Sequence, residues 1–169
     1  MSYSSAIYPE DSKEFYEFLN MQAVGLTMDV PHVIANLSNL SALFNDALEN
    51  INWVGFYLMQ DGKLVLGPFQ GKPACIEIEV GKGVCGTAAA KDELQLVEDV
   101  HQFPGHIACD SASNSEIVIP MHAGGRIVGV LDIDSPNVGR FSKEDAEGLL
   151  MIVRSIEGMD WFIQSFSEK

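Results

Sequence analysis

Cys109 stands in the segment Phe103-Pro-Gly-His-Ile-Ala-Cys-Asp-Ser-Ala-Ser-Asn-Ser-Glu-Ile-Val-Ile-Pro120, a run of small and polar residues that passes directly into an apolar stretch. Structural free cysteines sit in apolar surroundings and behave as small hydrophobes, whereas reactive ones are partly exposed beside groups that can hold a thiolate. The neighbourhood of Cys109 is of the second kind, and the chemistry it suggests is nucleophilic attack by sulfur. His106, three residues earlier, is one group that can help hold the thiolate.

The other two cysteines are Cys75 and Cys85, ten residues apart, with Cys85 twenty-four residues before Cys109. That spacing matches neither a Cys-x-x-Cys redox pair nor paired zinc knuckles. His101 and His106 near Cys109 are scattered ligands, better read as loop histidines than as a metal site, and His32 and His122 carry no assigned role. Cys75 alternates with Ile76 and Ile78 on an expected strand from Ala74 to Val80, where a packed small residue is the ordinary reading. Cys85, inside Gly81-Lys-Gly-Val-Cys-Gly86, reads either as part of a helix start or as an auxiliary thiol. The Gly-x-Gly-x-x-Gly spacing of Gly81, Gly83 and Gly86 is weak evidence for nucleotide binding, since that fingerprint needs a parallel βαβ unit and an acidic ribose partner.

A second set of chemical groups lies in Arg126-Ile-Val-Gly-Val-Leu-Asp-Ile-Asp134. Alternation along a strand places Asp132 and Asp134 on one face and Ile127, Leu131 and Ile133 on the other. Aspartate is disfavoured in strands and like charges on one face repel, so the pair lies at an exposed strand end or meets a cationic ligand. On this strand alone the exposed end, with Asp134-Ser-Pro136 as an ordinary turn, is the better account. Glu116 opens the strand expected to pair with this one, which can bring three carboxylates together. Such a cluster can receive an ammonium group, and crowding can leave one carboxyl protonated near neutral pH.

The elements that would position these groups follow from pattern. Asp11 and Glu14 make a helix start, and Phe15, Phe18, Leu19 and Leu26 mark one face of the helix that follows. A second amphipathic helix begins with Pro31 at a first helical position, runs through Val33, Ile34, Leu37, Leu40, Phe44 and Leu48, and ends near Asn50. Trp53 to Met59 and Lys63 to Leu66 flank Asp61-Gly62, the dipeptide of a tight type I′ hairpin. Trp53, Gly55 and Tyr57 then share one strand face, with Val54, Phe56 and Leu58 on the other. Further strands are expected at Leu94 to Val97, Glu116 to Pro120 and Arg126 to Asp134, a short helix at Val84 to Lys91, and a hairpin turn at Gly124-Gly125. Ser142 to Asp145 starts a long terminal helix whose apolar side reaches Ile163. Helices at both ends of an antiparallel sheet make an α+β domain, expected to span residues 1–169 as one unit.

Composition narrows the function classes. Ten basic against 24 acidic residues give a formal net charge of −14, so the phosphate-neutralising surface of a nucleic-acid binder is missing and anionic membranes are poor partners. No apolar run approaches the roughly 18 residues of a membrane span. Met1 to Glu10 lacks the basic start and apolar stretch of a secretory leader. Three cysteines without a leader point to a reducing, cytosolic compartment, where a disulfide is more often catalytic or transient than structural.

Together, Gly67-Pro-Phe-Gln-Gly-Lys-Pro-Ala-Cys75, Gly81-Lys-Gly-Val-Cys-Gly-Thr87, Asp99-Val-His-Gln-Phe-Pro-Gly-His-Ile-Ala-Cys-Asp110, Ser113-Asn-Ser-Glu116 and Val130-Leu-Asp-Ile-Asp-Ser-Pro136 resemble the free methionine-(R)-sulfoxide reductases, which are GAF-domain enzymes. The resemblance runs from about Trp53 to Phe141. It implies a GAF fold with a central antiparallel sheet of about six strands, the terminal helices packed on one face and a ligand pocket on the other. It implies Cys109 as catalytic cysteine, Cys75 as principal resolving partner and Cys85 as able to join disulfide exchange. Trp53 and Tyr57 are implied as pocket residues, and Glu116, Asp132 and Asp134 as substrate-binding carboxylates. A homodimer is implied too, with thioredoxin as the expected reductant and no bound cofactor. A Cys75–Cys109 bond requires Cα atoms within about 7 Å, or a loop able to bring them there. Two other readings stay open at this point: a noncatalytic GAF sensor for a small ligand, and a thiol redox sensor.

Overall fold

The structure is a computed structural model that describes residues 6–107 and 109–167. Residues 1–5, on which part of the leader expectation rests, lie outside the described residues, as do Ala108 in the segment before Cys109 and residues 168–169. Two helices, α1 (Ser12–Thr27) and α2 (Val33–Ala47), precede the hairpin of β1 (Trp53–Gln60) and β2 (Lys63–Gly71). After the short β3 (Glu77–Glu79) come α3 (Gly83–Lys91), β4 (Gln95–Val97) and a 3-10 turn at Val100–Gln102. A second long hairpin, β5 (Ser115–Ala123) and β6 (Arg126–Ser135), leads into α4 (Lys143–Glu157) and α5 (Asp160–Phe166). The strands form one antiparallel sheet in the order β3-β2-β1-β6-β5-β4.

Local chemistry explains most of these boundaries. Asp61 and Gly62 have φ of 50° and 79°, and Gly124 and Gly125 have φ of 59° and 75°, the left-handed pair that a tight hairpin needs to match strand twist. Asp11 caps α1 by accepting the Glu14 amide at 3.0 Å. Ser142 and Asp145 form a reciprocal capping box on α4. Asp145 also accepts the Tyr16 hydroxyl at 2.6 Å and the Arg140 guanidinium at 3.0 Å, so the cap of α4 is tied to α1.

The sheet has two unlike faces. Leu37, Leu40, Phe44, Val54, Phe56, Ile117, Ile119, Leu131, Ile133, Leu149 and Ile152 form a dry core between the sheet and α1, α2, α4 and α5. Trp53, Tyr57, Val118 and Val130 look the other way, toward α3 and its Val84, Cys85 and Ala88. The alternation expected along β1 is therefore the alternation found, with the terminal helices on one side and the cavity on the other.

Several boundaries differ from the sequence expectation. The terminal helix breaks at Gly158, where Met159 turns extended and caps α5. Pro31 precedes the cap residue His32 instead of opening α2, and the helix stops at Ala47 rather than near Asn50 because Leu48 is already extended. The expected strand from Ala74 shrinks to Glu77–Glu79, since Cys75 is drawn out of line by a covalent bond described below. In β6, pairing jumps from Met121↔Gly129 to His122↔Ile127, which leaves Val128 as a bulge. An extra residue reverses the faces beyond it, so Val128 rather than Ile127 joins the helix-side core.

Candidate active site

Register brings the three carboxylates together. Glu116 sits opposite Asp134 across β5 and β6, while Asp132 and Asp134 sit opposite Gly55 and Trp53 of β1. All point away from the terminal helices into one cavity of about 40 Å3, room for a few waters, which Trp53, Tyr57, Cys85, Cys109, Glu116, Asp132 and Asp134 line. Asp132 and Glu116 are only 5% and 6% exposed, and Asp134 is half-buried. The exposed strand end preferred on sequence alone is thus replaced by a buried cluster.

Cys75 joins the same site through its sulfur. Cys75 and Cys109 form a disulfide with Cα atoms 5.5 Å apart. Cys75 lies ahead of β3, in a segment held against the sheet from below: Tyr57 donates its hydroxyl to the Cys75 carbonyl at 2.9 Å, and Trp53 donates Nε1 to the Lys72 carbonyl at 3.2 Å. Both pocket aromatics therefore grip the segment that carries Cys75. Trp53 is stacked between Tyr57 and Phe69, at centroid distances of 5.9 and 5.2 Å. Gly55 makes this possible, since a Cβ there would fall 2.3 Å from the Phe69 Cβ.

The glycines around Cys85 have a structural purpose. Gly81 (φ 89°) and Gly83 (φ 62°) turn the chain from β3 into α3, and Gly81 donates its amide to the Gly86 carbonyl at 2.7 Å. A Cβ on Gly86 would lie 2.3 Å from the Glu79 carbonyl oxygen. This tight entry delivers Cys85 to the floor of the cavity, 4% exposed, with Sγ 3.9 Å from Glu116 Oε1. The pattern thus serves a turn on an antiparallel sheet, not a dinucleotide fingerprint.

Burial governs the electrostatics. It raises Glu116 well above the usual carboxylate range, with the neighbouring Asp132 charge adding to the effect, and it likewise raises Asp134. Asp132 is pushed up by burial to about 6, moderated by hydrogen bonding with Glu116 and Cys85. Cys85 is pushed well up by burial and then by Asp132 and Glu116. Three crowded carboxyls in a poorly hydrated site retain protons, so the cluster carries less negative charge than its composition suggests. That eases the formation of a thiolate beside it and leaves a carboxyl able to donate. Asp132 Oδ1 is buried and accepts no hydrogen bond among the described residues.

His106 also lines the cavity, but burial and the nearby His101 lower its pKa, which opposes the cationic form that would steady a thiolate. His101 instead pairs with Asn114 Oδ1 at 3.0 Å. Sequence reasoning missed Asn52 and Phe69. The Asn52 amide donates to Asp110 Oδ2 and Ser113 Oγ, each at 3.1 Å, and so braces the loop that follows Cys109. Phe69 lies within the Gly67 to Cys75 motif, which assigns it no role, and no local signal marks Asn52, because its partners stand far along the chain.

Comparison with known proteins agrees with this architecture. A family profile described as the GAF domain matches residues 38–157. The free methionine-R-sulfoxide reductase of Escherichia coli (strain K12) is 55% identical over 144 residues, covering 85% of this chain and 87% of that protein. The solved structure of the reduced form of Staphylococcus aureus fRMsr is 52% identical with a TM-score of 0.84, over 94% of this chain and 99% of that one. The free methionine-R-sulfoxide reductase from Neisseria meningitidis, solved in complex with its substrate, is 38% identical with a TM-score of 0.89, over 96% and 98% of the two chains. Similarity at this level over nearly the full length, on a sheet whose pocket face gathers cysteines and carboxylates, places this chain in the GAF-domain family of free methionine-R-sulfoxide reductases.

Proposed function

We propose that this chain reduces free methionine (R)-sulfoxide to methionine with its own thiols. The observation that carries this reading is one cavity in which a bonded cysteine pair and a buried carboxylate cluster face each other. In the reduced enzyme the Cys109 thiolate attacks the sulfoxide sulfur, and a protonated carboxyl, for which Glu116 is best placed by its raised pKa, supplies a proton to the departing oxygen. The substrate S–O bond and the new bond to Cys109 Sγ then break as the oxygen passes to Sγ, so methionine leaves with its sulfur reduced by the thiolate's two electrons and Cys109 is left as a sulfenic acid. The Cys75 thiol then condenses with it, releasing water and forming the disulfide. An external dithiol, thioredoxin in this reading, reopens that bond by exchange and takes up the oxidising equivalents.

Recognition follows from the same walls. Trp53 presents an apolar surface to the substrate methyl group, and Asp132 and Asp134 meet the ammonium. The unpartnered Asp132 Oδ1 supports that assignment, because a buried acceptor without a donor costs about 1–3 kcal/mol that an ammonium proton would recover. A sulfoxide inside a peptide has no free ammonium to offer. In this reading Cys85 is an auxiliary thiol, residues 1–169 act as one GAF unit, and the enzyme works in the cytosol as a homodimer. A ligand-only GAF sensor has no use for a cysteine pair opening on its pocket, and a thiol sensor has none for buried carboxylates.

A thioredoxin-coupled assay decides the matter by comparing free methionine (R)-sulfoxide, its S epimer and a peptide-bound R-sulfoxide. Turnover confined to the free R form is expected. Absence of turnover with that substrate would overturn the proposal.

A further inference from the structure

Cys85 takes no part in the disulfide and stays buried at the start of α3. Its Sγ, a Glu116 oxygen and an Asp132 oxygen all lie within 4.8 Å of one another. Among the described residues this is the one group of side chains close enough to share a metal ion; His101 and His106 stay outside it. The observation that points to a ligand here is independent of the cluster's composition: Asp132 Oδ1 is buried without a donor, on a residue only 5% exposed. A thiol and two carboxylates in a poorly hydrated corner need either protons or a cation.

The geometry favours a particular cation. A tetrahedral zinc site with sulfur at about 2.3 Å and oxygen at about 2.1 Å has a sulfur-to-oxygen edge of about 3.6 Å. Cys85 Sγ and Glu116 Oε1 are already 3.9 Å apart, so side-chain adjustments of a few tenths of an ångström suffice for that edge. The adjoining cavity of about 40 Å3 has room for a water as fourth ligand. A sulfur ligand selects zinc or cadmium over magnesium or calcium, which prefer all-oxygen shells. The carboxylates are the same ones that would receive the substrate ammonium.

We propose that Cys85, Glu116 and Asp132 bind one thiophilic divalent cation of the zinc class, and that this cation excludes the substrate from the carboxylate end of the cavity. On binding, the Cys85 thiol and any protonated carboxyl release their protons to solvent, and the metal keeps its oxidation state. Metal binding rests on the geometry alone. Its inhibitory effect rests on the reading of these carboxylates as ammonium partners.

The test uses the oxidised protein, in which Cys75 and Cys109 are tied together and Cys85 is the sole thiol able to ligate. Titration with cadmium should produce a sulfur-to-cadmium charge-transfer band that saturates at one ion per chain, yields to zinc and resists a large excess of magnesium. The band should vanish in both Cys85→Ser and Cys85→Ala, and apparent affinity should fall about tenfold or more in Glu116→Gln and in Asp132→Asn. Circular dichroism and a thiol count identify which variants remain folded and oxidised. No band in the folded oxidised wild type, or an undiminished band in a folded Cys85 variant, would overturn the site. Buffered zinc should also raise the KM for free methionine (R)-sulfoxide in the wild type while leaving the KM of Cys85→Ala where it is without zinc. Cadmium binding with an unmoved wild-type KM would overturn the exclusion and leave the metal site standing. If the sulfoxide is not a substrate at all, the cadmium titration still decides the site.

Discussion

Leu131 and Ile133 face the helices from the same strand whose Asp132 and Asp134 face the cavity. One side of β6 faces a core of aliphatic and aromatic side chains held mainly by apolar contact. The other side lines a cavity with buried carboxyls, a buried thiol and a disulfide sulfur, and it leaves Asp132 Oδ1 without a donor. A sheet stabilised from one face can carry strained electrostatics on the other, because the two faces share a backbone but not side-chain contacts. The helix-side face supplies rigidity, and the cavity face holds groups that are unfavourable until something binds.

Substitutions on the two faces should separate these contributions. The largest effect belongs to Cys109→Ser, for which turnover of free methionine (R)-sulfoxide should fall roughly 10³-fold or more with little change in melting temperature of the reduced protein. Cys75→Ser should instead allow a single reduction and then stall, which a single-turnover measurement resolves. Retained full turnover in Cys109→Ser would reassign the nucleophile and erase the functional half of the comparison.

On the opposite face, Leu131→Ala removes a fully buried side chain and should cost about 2–5 kcal/mol of unfolding free energy. Denaturant unfolding reads this loss, while KM in the folded fraction should stay near wild type. A large change in KM with unchanged stability would mean that the faces are not independent. Glu116→Gln should lower kcat/KM by roughly 10- to 150-fold, the worth of one charge-assisted hydrogen bond in the transition state. Its stability should hold or rise near neutral pH, since a glutamine, unlike a carboxyl, gives up no charge on being buried in a crowded acidic cluster. A destabilised Glu116→Gln protein would show instead that the cluster supports the fold.

The smallest expected effect is a pH dependence. Burial holds Asp132 at about 6 in the folded chain, above its ordinary 3.8. A carboxyl that binds its proton more tightly when folded favours the fold fully below about pH 4 and loses that contribution as pH rises through about 6. Glu116 and Asp134, also raised by burial, act with the same sign at higher pH. Thermal melts should therefore show stability falling between about pH 4 and pH 7, and Asp132→Asn should flatten the slope. An unchanged slope in that variant would remove Asp132 from the account.

The legibility of the two faces differed in the same way. Apolar periodicity and turn dipeptides revealed the helix-side core, because Val54, Phe56, Leu131 and Ile133 each announce their burial by type and spacing. The bulge at Val128 and the break at Gly158 escaped that reading, since one depends on a partner strand and the other on how α5 packs. On the cavity face, alternation placed Asp132 and Asp134 together and identified Cys109 by its surroundings. It did not show that the aspartates are buried, and on their own strand it favoured the opposite. The strand expected through Cys75 was wrong because a covalent partner 34 residues away competes with the ladder.

From sequence alone came the strand and helix order, the sharing of faces and the candidate nucleophile, all consequences of side-chain period and local composition within one element. Tertiary structure decided that Glu116 meets Asp134, that Cys75 reaches Cys109, that Asn52 braces the loop and that Cys85 faces the carboxylates. These are meetings between elements, set by strand register and by how closely glycines such as Gly55 and Gly86 let backbones approach. A carboxyl's charge, a thiol's reactivity and a cavity's shape depend on what stands within a few ångströms, and that distance is a property of packing, which periodicity along one strand does not contain.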